Sequence, residues 1–394
     1  MNQTDSHTQN PLPIVCIGLR HWQGDIGAIV QLMSRLSATR PVLYTEYAPT
    51  WKDVLRHPNR EAHRRSMGLL SRLHKHQTHV DTAVWVMTPP PMLPVNWLPE
   101  GKPYHVLQGI NDQRFCQALR ECMRQLGWEK AILINAFNPF LGQNLYKDPA
   151  FVRTFYFCSD DIAEAAYLNK HGIRLEAEFI SHAQAVITTS KALKQLKSPL
   201  HPVIQVVRNA GEFELFHRVS QMAPAPKERP TIGYLGSLDF RIDLDLLQRA
   251  MQTFPEYDFV YVGKTRDEAF AAPLRRYPNA FLKGPVPYEQ VPEVLAGFDV
   301  CLIPFSQSKF NEGVYPLKAN EYLATGRPVV MTRFADLPEF EQVAYVASTH
   351  EAFLDAIRQA AEESDPEKKA ARIAFARQNS WDARTEELTH VLNA

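Results

Sequence analysis

Short apolar runs alternate with longer amphipathic segments along most of the chain. In the first half these runs are "PIVCIGL", "PVLYTE", "TAVWVMT", "KAILINAF", "RTFYFCS", "QAVITTS" and "VIQVVRNAG". Their β-branched content and their Gly or Pro flanks favour buried strands over fragments of helix. Strands that alternate with helices are typical of parallel α/β architecture.

The alternation restarts after a proline-rich segment, "SQMAPAPKERP" at 220–230. This segment lacks hydrophobic periodicity, which is typical of a linker. Five further runs predict strands in the second half: "TIGYLGS", "DFVYVGK", "AFLKGP", "DVCLIPF" and "RPVVMT". We therefore predict two doubly wound α/β domains, 1–219 and 231–371, and a final helix interrupted near 379–381. Ligands are expected in the cleft between two such domains, beyond the carboxyl ends of the strands.

Composition narrows the class of protein. Of 394 residues, 43 are Lys or Arg and 43 are Asp or Glu, so a basic field for nucleic acid is not expected. The five cysteines are scattered and odd in number, which favours a reducing cytoplasm over a disulfide scaffold. The polar N-terminus does not resemble a signal peptide, and an apolar run of about 18 residues is absent from the sequence.

Two strand ends in the second half carry candidate phosphate-binding residues. In "GYLGSLDFRIDLDLL", Gly236 follows a predicted strand, with Asp239 and Arg241 in the loop behind it. Small residues there let backbone N–H groups approach a phosphate, although a plain tight turn fits equally well. In "YVGKT", Lys264 either reaches a diphosphate or is an ordinary solvated lysine.

The stretch "NEGVYPLKANEYLATGRPVVMT" at 311–332 carries the strongest spacing signal. A helix that begins near Pro316 places Lys318 and Glu321 on one face, three residues apart. Lys318 would then favour a diphosphate, and Glu321 would accept hydrogen bonds from ribose hydroxyls. A surface ion pair explains the same spacing.

The motif "YPLKANEYLATGRPVVMT" resembles the nucleotide-sugar signature of GT-B glycosyltransferases, in the branch with teichuronic-acid-type and exopolysaccharide transferases. Four other segments resemble the same branch in the same order: "YFCSDDI", "VVRNAGEFELF", "TIGYLGSLDFRIDLDLL" and "VPYEQVPEVLAGFDVCLIPF". The closing "NSWDARTEEL" resembles the Ser-Trp helix of such folds. Together these segments extend over most of the chain.

The resemblance implies two Rossmann-like domains facing across a cleft, with a C-terminal helix at about 372–394 crossing back to the first domain. It implies transfer of a sugar from a nucleoside diphosphate sugar, with UDP favoured, to a glycan or polyprenyl-linked acceptor. The donor would bind the second domain through Gly236, Asp239, Arg241, Lys264, Tyr315, Lys318 and Glu321. Arg208 and Asn209 would lie at the hinge, and the first domain would hold the acceptor.

A metal or other cofactor is not expected. GT-B folds stabilise the leaving group with helix dipoles and cationic side chains. The histidines of "HKHQTH" at 74–79 lack the spacing of a helical zinc site.

The resemblance leaves the stereochemical course open. Retaining relatives often carry two glutamates separated by seven residues, but Gly313 occupies the first of these positions and Glu312 is one residue out of register. Inversion instead needs a general base in the acceptor domain. Asp160 in "CSDD" resembles the base of the xanthan-assembly glucuronosyltransferase, and one of the two adjacent aspartates, Asp160 or Asp161, is expected to cap the following helix.

Two more features of the first domain are candidates. His21 and Asp25, in "LRHWQGD" after the first strand, are secondary catalytic candidates. The basic segment 51–76 is either an amphipathic stretch that rests on the inner face of an anionic membrane, or an ordinary solvated helix with a core stripe. The expected location is cytoplasmic, with this contact as the membrane attachment.

Three other functions are compatible with the same residues. One is a nucleotide-binding scaffold that has lost catalysis, and another is an epimerase of nucleoside diphosphate sugars. A phosphorylase would need a lysine-anchored pyridoxal phosphate, for which the sequence carries no persuasive signal.

Overall fold

The computed structural model describes residues 11–22, 27–78, 80–165, 167–222 and 227–394. The chain forms two compact units: unit 1 comprises Met1–Arg208 and Thr385–Ala394, and unit 2 comprises Asn209–Arg384. The division lies between Arg208 and Asn209, the two residues named above for the hinge, whereas the sequence placed the end of the first domain at 219.

Unit 1 alternates strands and helices. Its elements are β1 (Ile14–Ile17), α1 (Ala28–Leu36), β2 (Val42–Thr45), α2 (Trp51–Arg56), α3 (Glu61–Ser66), β3 (Leu73–Gln77), β4 (Ala83–Met87), α4 (Lys102–Gln125), β5 (Ala131–Ala136), β6 (Phe151–Cys158), α5 (Asn169–His182), β7 (Ala185–Thr188), α6 (Lys191–Lys197) and β8 (Ile204–Val206). All seven apolar runs of the first half form strands.

Over its described residues, the sheet of unit 1 has the order β3-β4-β2-β1-β5-β6-β7-β8. Its strands are parallel, except that β3 pairs antiparallel with β4. Every residue of β1, β2 and β5 is buried, as expected for a parallel sheet covered on both faces. The strand order reverses between β1 and β5, and this switch point is where ligands bind in open α/β sheets.

The interpretation of 51–76 as one ordinary solvated helix is wrong. The segment forms two six-residue helices, α2 and α3, and then the edge strand β3. Pro58 follows α2, and Gly68 lies beyond α3 at a φ of +80°, a conformation that ends a helix. The charge pattern of the segment carries no signal for its pairing with β4.

Unit 2 continues the alternation. Its elements are α7 (Phe213–Ser220), β9 (Thr231–Leu235), α8 (Leu244–Thr253), β10 (Asp258–Val262), α9 (Glu268–Leu274), β11 (Ala280–Lys283), α10 (Val291–Ala296), β12 (Val300–Ile303), α11 (Lys309–Glu312), α12 (Leu317–Ala324), β13 (Val329–Thr332), β14 (Tyr345–Ala347), α13 (His350–Ala361), α14 (Pro366–Gln378) and α15 (Trp381–Asn393). The five predicted strands are present. The three-residue β14 is an additional strand that the sequence did not indicate.

The sheet of unit 2 is parallel throughout its described residues, with the order β11-β10-β9-β12-β13-β14. This order reverses between β9 and β12, which sets the switch point of the unit. The fold class predicted from the sequence, two doubly wound α/β domains, is therefore confirmed.

The last helix begins in unit 2, and its final residues belong to unit 1. In unit 1, Arg40 Nη2 donates to Asn393 Oδ1 at 3.1 Å, and Arg153 Nη1 donates to the Leu392 carbonyl at 2.6 Å. The interruption expected near 379–381 lies where α14 ends and α15 begins. The chain thus returns to unit 1 through its last ten residues.

Candidate functional site

At the end of β9, beside the switch point of unit 2, one glycine loop lies against Lys318 and a second glycine loop packs on the first. Gly236 follows β9 directly, and a Cβ atom there would lie 3.1 Å from Lys318 Cε and 2.6 Å from the Tyr234 hydroxyl. Gly263 follows β10 at a φ of +147°, and its Cβ would lie 2.1 Å from the Gly236 carbonyl oxygen. Side chains are excluded at both positions, so the backbone at the end of β9 closely approaches the lysine.

Helix α12 carries Lys318 and Glu321 on one face, half-buried, as the spacing predicted. Pro316 is the N-cap residue of this helix. The ammonium and carboxylate attract each other. Among the described residues, however, the two groups do not form an ion pair within 4.0 Å. The arrangement therefore differs from a closed surface ion pair.

Burial shifts the pKa of each group toward its uncharged form. Burial raises the pKa of Glu321 from 4.5 to about 7, although Lys318 and a hydrogen bond from the Tyr288 hydroxyl at 3.1 Å oppose the rise. Burial also lowers the pKa of Lys318, and Glu321 opposes that change. A ligand that places an anion beside Lys318 and hydroxyl donors beside Glu321 would compensate both side chains.

Asp239 and Arg241 are locked together beside this pair. Arg241 Nε and Nη2 donate to the two carboxylate oxygens of Asp239 at 2.8 and 2.7 Å. Arg241 helps to lower the pKa of Lys318, and Asp239 helps to raise it. Four predicted donor-site residues, Gly236, Asp239, Arg241 and Lys318, are thus brought together, with Asp239 holding the guanidinium in place.

The other residues named for unit 2 have different surroundings. Lys264 is exposed, and its carbonyl accepts a hydrogen bond from Leu238 N at 3.0 Å, which ties together the loops after β9 and β10. Tyr315 is buried in the core, with its hydroxyl 3.4 Å from Asn320 Oδ1. Its ring therefore packs beneath α12.

Sequence reasoning missed two neighbours of Glu321. Tyr288 donates to its carboxylate from 33 positions away in the chain. Gly211 lies against the helix, where a Cβ would be 3.2 Å from Glu321 N. Gly211 is the glycine of the quoted segment "VVRNAGEFELF", and it was the available signal for the second contact, whereas the first contact has no local signature.

Unit 1 places His21 beside a buried carboxylate. Glu46 follows β2, and its Oε2 lies 3.8 Å from His21 Nδ1. Its Oε1 accepts from Trp22 N at 2.9 Å, and its Oε2 accepts from Thr88 Oγ1 at 3.2 Å. The interaction with Glu46 raises the pKa of His21. Burial acts to raise the pKa of Glu46, but His21 and the Trp22 N–H hold it below its usual value.

This histidine–carboxylate pair is chemically suited to proton transfer. A carboxylate that orients an imidazole and stabilises its protonated form is a recurrent arrangement for a general base. Glu46 was missed in the sequence, although a glutamate directly after the second strand lies at the same sheet edge. Asp25, the other candidate in this loop, lies outside the described residues.

The adjacent aspartates after β6 have separate roles. Asp161 accepts from Ala163 N at 3.1 Å and so caps a short 3-10 turn, as predicted for one of the two. Asp160 is exposed, and within the described part of the chain its carboxylate accepts no hydrogen bond. The surrounding protein raises the pKa of Asp160 by desolvation, and Arg20 in the loop after β1 opposes this change.

The loop between β5 and β6 fixes the switch point of unit 1. Phe137 adopts a φ of +60°, which is uncommon for a bulky residue and often marks a constrained site. Asn138 N donates to Asn135 Oδ1 at 2.9 Å, and Asn138 Nδ2 donates to the Gly18 carbonyl at 2.9 Å. The loops after β1 and β5 are therefore joined by a buried hydrogen bond from a side chain to the backbone.

Over the described residues, no cluster of three or more His, Cys, Asp or Glu side chains is placed to hold a metal ion. In the same part of the chain, none of the helices combines the length and apolar character needed to cross a bilayer.

The chain is similar to known proteins in sequence and in fold. Residues 229–363 match the family model described as glycosyl transferases group 1. TuaH of Bacillus subtilis (strain 168), described as a candidate teichuronic acid biosynthesis glycosyltransferase, is 27% identical over 223 residues, which are 52% of this chain and 56% of that protein. The chain thus matches little more than half the length of this curated relative.

Three solved structures share the fold. An α,α-trehalose 6-phosphate synthase from Burkholderia multivorans has a TM-score of 0.64 at 10% identity, covering 98% of both chains. HepE from Anabaena, in complex with UDP, has a TM-score of 0.63 at 13% identity, covering 97% of this chain and 100% of its own. The starch synthase IV catalytic domain from Arabidopsis thaliana, bound to ADP and acarbose, gives 0.60 at 12%, covering 97% and 99%.

Similarity at these identities establishes the fold, and the family match identifies the domain that holds Lys318 and Glu321. Unit 2 therefore carries a glycosyl transferases group 1 domain, and the chain has the GT-B fold of glycosyltransferases.

Proposed function

We propose that this protein transfers a sugar from a UDP-sugar to a glycan or polyprenyl-linked acceptor, in the biosynthesis of a polysaccharide or glycoconjugate. The observation that carries the proposal is the half-buried pair of opposite charges on α12, Lys318 and Glu321, with the glycine loop after β9 against Lys318. A structural neighbour crystallised with UDP supports the choice of nucleotide.

In this proposal the donor binds unit 2. Lys318, Arg241 and the backbone at Gly236 hold the diphosphate, and Glu321 accepts hydrogen bonds from the ribose hydroxyls. The same cations and the N-terminus of α12 stabilise the charge that develops on the departing diphosphate, so the reaction needs no metal ion or other cofactor.

Unit 1 supplies the acceptor site and the base. Gly313 stands where retaining relatives often have a glutamate, which favours inversion with a general base. Asp160, with a raised pKa and an uncommitted carboxylate, and His21, whose Nδ1 lies 3.8 Å from Glu46 Oε2, are the two candidate bases. Loss of turnover with intact UDP binding in Asp160→Asn or in His21→Ala identifies which one acts.

Segment 51–76 is proposed as the peripheral membrane contact of a cytoplasmic enzyme. It exposes Leu55 (76% exposed) and Leu69 (65% exposed) among basic side chains. We expect the double variant Arg56→Glu, Arg64→Glu to sediment less than the wild type with phosphatidylglycerol vesicles. With phosphatidylcholine vesicles the two proteins should sediment equally. Equal sedimentation of the double variant and the wild type with both lipids would exclude this segment as the contact.

A donor screen tests the proposed function. Thermal shifts are measured with UDP, GDP and their sugars, and UDP release and product formation are then measured with acceptor candidates. Turnover of a UDP-sugar with transfer to an acceptor supports the proposal. Nucleotide binding without turnover would indicate a binding scaffold, and conversion of the donor into a second nucleotide sugar would indicate an epimerase. No shift with any nucleotide would exclude all three.

A further inference from the structure

Phe240 and Phe310 form an exposed aromatic pair in unit 2. Their ring centroids are 5.2 Å apart at an interplanar angle of 72°, an edge-to-face contact. The two side chains remain 59% and 51% exposed. Paired apolar side chains that stay in contact with water form the kind of small apolar surface found at ligand sites.

Hydrogen bonds connect the two backbone segments that carry this pair. Phe240 lies in the loop after β9 and Phe310 in α11, after β12. Ser306 N and Asn311 Nδ2 both donate to the Arg241 carbonyl, at 2.8 and 3.0 Å. Asn311 Nδ2 also donates to the Ser306 carbonyl at 2.7 Å, and Asn311 is fully buried. These bonds join the two loops, so the rings project from one fixed surface.

The pair also lies close in the chain to residues of the proposed diphosphate site. Phe240 stands in the chain between Asp239 and Arg241, the ion pair whose charges act on Lys318. Phe310 precedes α12, so the chain runs from Phe310 to Lys318 and, one helical turn later, to Glu321.

A nucleoside diphosphate sugar has a fixed order of groups, with the diphosphate between the ribose and the sugar. With the ribose at Glu321 and the diphosphate at Lys318, the sugar extends toward the N-terminal end of α12 and the two phenylalanines. We propose that Phe240 and Phe310 form the platform for the donor sugar, packing against the C–H face of a pyranose ring. This inference rests on the proposed function and names the residues that select the sugar.

Calorimetric titration with UDP and with UDP-hexoses tests the platform. The proteins are the wild type, Phe240→Ala, Phe310→Ala and the control Phe281→Ala, an exposed phenylalanine on the edge strand β11. We expect the first two variants to bind UDP within about twofold of the wild type and UDP-glucose, or the tightest-binding UDP-hexose, about threefold to tenfold more weakly. Phe281→Ala should match the wild type for both ligands.

Further variants separate ring stacking from folding. Phe310→Tyr should retain sugar binding, because it keeps the ring. Phe310→Leu keeps an apolar side chain without the ring and replaces the alanine variant if that variant unfolds. Equal weakening of UDP and UDP-sugar, or no change in either, would overturn the platform. Absence of UDP binding by the wild type would instead contradict the proposed function itself, and the platform with it.

Discussion

Replacing Glu321 with glutamine should stabilise the ligand-free protein at alkaline pH. The side chain has a pKa of about 7 in the folded protein and 4.5 as the reference value for the unfolded chain. Between these values the unfolded state loses its proton first, so the free energy of unfolding falls as pH rises from about 4.5 to about 7. Above that window the folded protein carries the full cost of the carboxylate.

The magnitude follows from the size of the shift. At 1.36 kcal/mol per pKa unit, the upper limit is about 3 kcal/mol, and partial exposure reduces it to roughly 1–3 kcal/mol. Glutamine resembles the protonated carboxyl, so Glu321→Gln should match the wild type near pH 4.5 and gain this amount by pH 8. For a domain of this size, the gain corresponds to a rise of about 2–10 °C in Tm.

The assay is thermal unfolding of both proteins at pH 5 and pH 8, with and without UDP. Glu312→Gln, which neutralises an exposed glutamate before the same helix, is the matched control and should stay within about 0.5 kcal/mol of the wild type. Added UDP should raise the Tm of the wild type more than that of Glu321→Gln, because it binds the variant more weakly. A variant that is less stable than the wild type at pH 8, or a difference independent of pH, would refute the reasoning.

Three further predictions concern binding and turnover. Lys318→Ala should weaken UDP binding about tenfold to a hundredfold, because a charged hydrogen bond to phosphate is lost, while Lys264→Ala changes it less; equal losses in calorimetry would argue against the assignment. Asp160→Asn should reduce kcat about a hundredfold to ten-thousandfold with little change in UDP affinity if this carboxylate is the base; unaltered turnover would reject it. Glu46→Gln should lower the pKa of His21 and move the acid limb of kcat/KM to lower pH if His21 is the base; an unmoved limb would exclude that role.

Predictability from the sequence depended on how local each feature was. The buried parallel strands and the α12 face with Lys318 and Glu321 follow from short apolar runs and three-residue spacing, so both could be predicted. The edge strand β3 could not, because its basic segment also suits a helix and only pairing with β4 fixes its structure. The division at Arg208 and Asn209 likewise depends on packing of α7 against α12 and α10, which a proline-rich linker signal does not encode.

In the candidate sites, too, only contacts between residues close in the chain could be predicted from the sequence. A cap at one of the two adjacent aspartates was predictable, since capping involves residues only two positions apart, and Asp161 is the one that caps. The contact between Glu46 and His21 joins residues 25 positions apart, and the contact between Tyr288 and Glu321 joins residues 33 positions apart. Both contacts depend on strand order, which short sequence segments do not encode. The Phe240–Phe310 contact crosses the switch point between β9 and β12 and has no signature in either loop alone.

Titration of UDP into the wild-type protein and into Glu321→Ala by calorimetry tests the donor site most directly. A saturable one-to-one binding curve for the wild type, with affinity reduced at least about tenfold in the variant by loss of the charged hydrogen bonds to the ribose, is the predicted result. Absence of binding to the wild type, or equal affinity in the two proteins, would contradict the assignment of α12 as the nucleotide-binding helix.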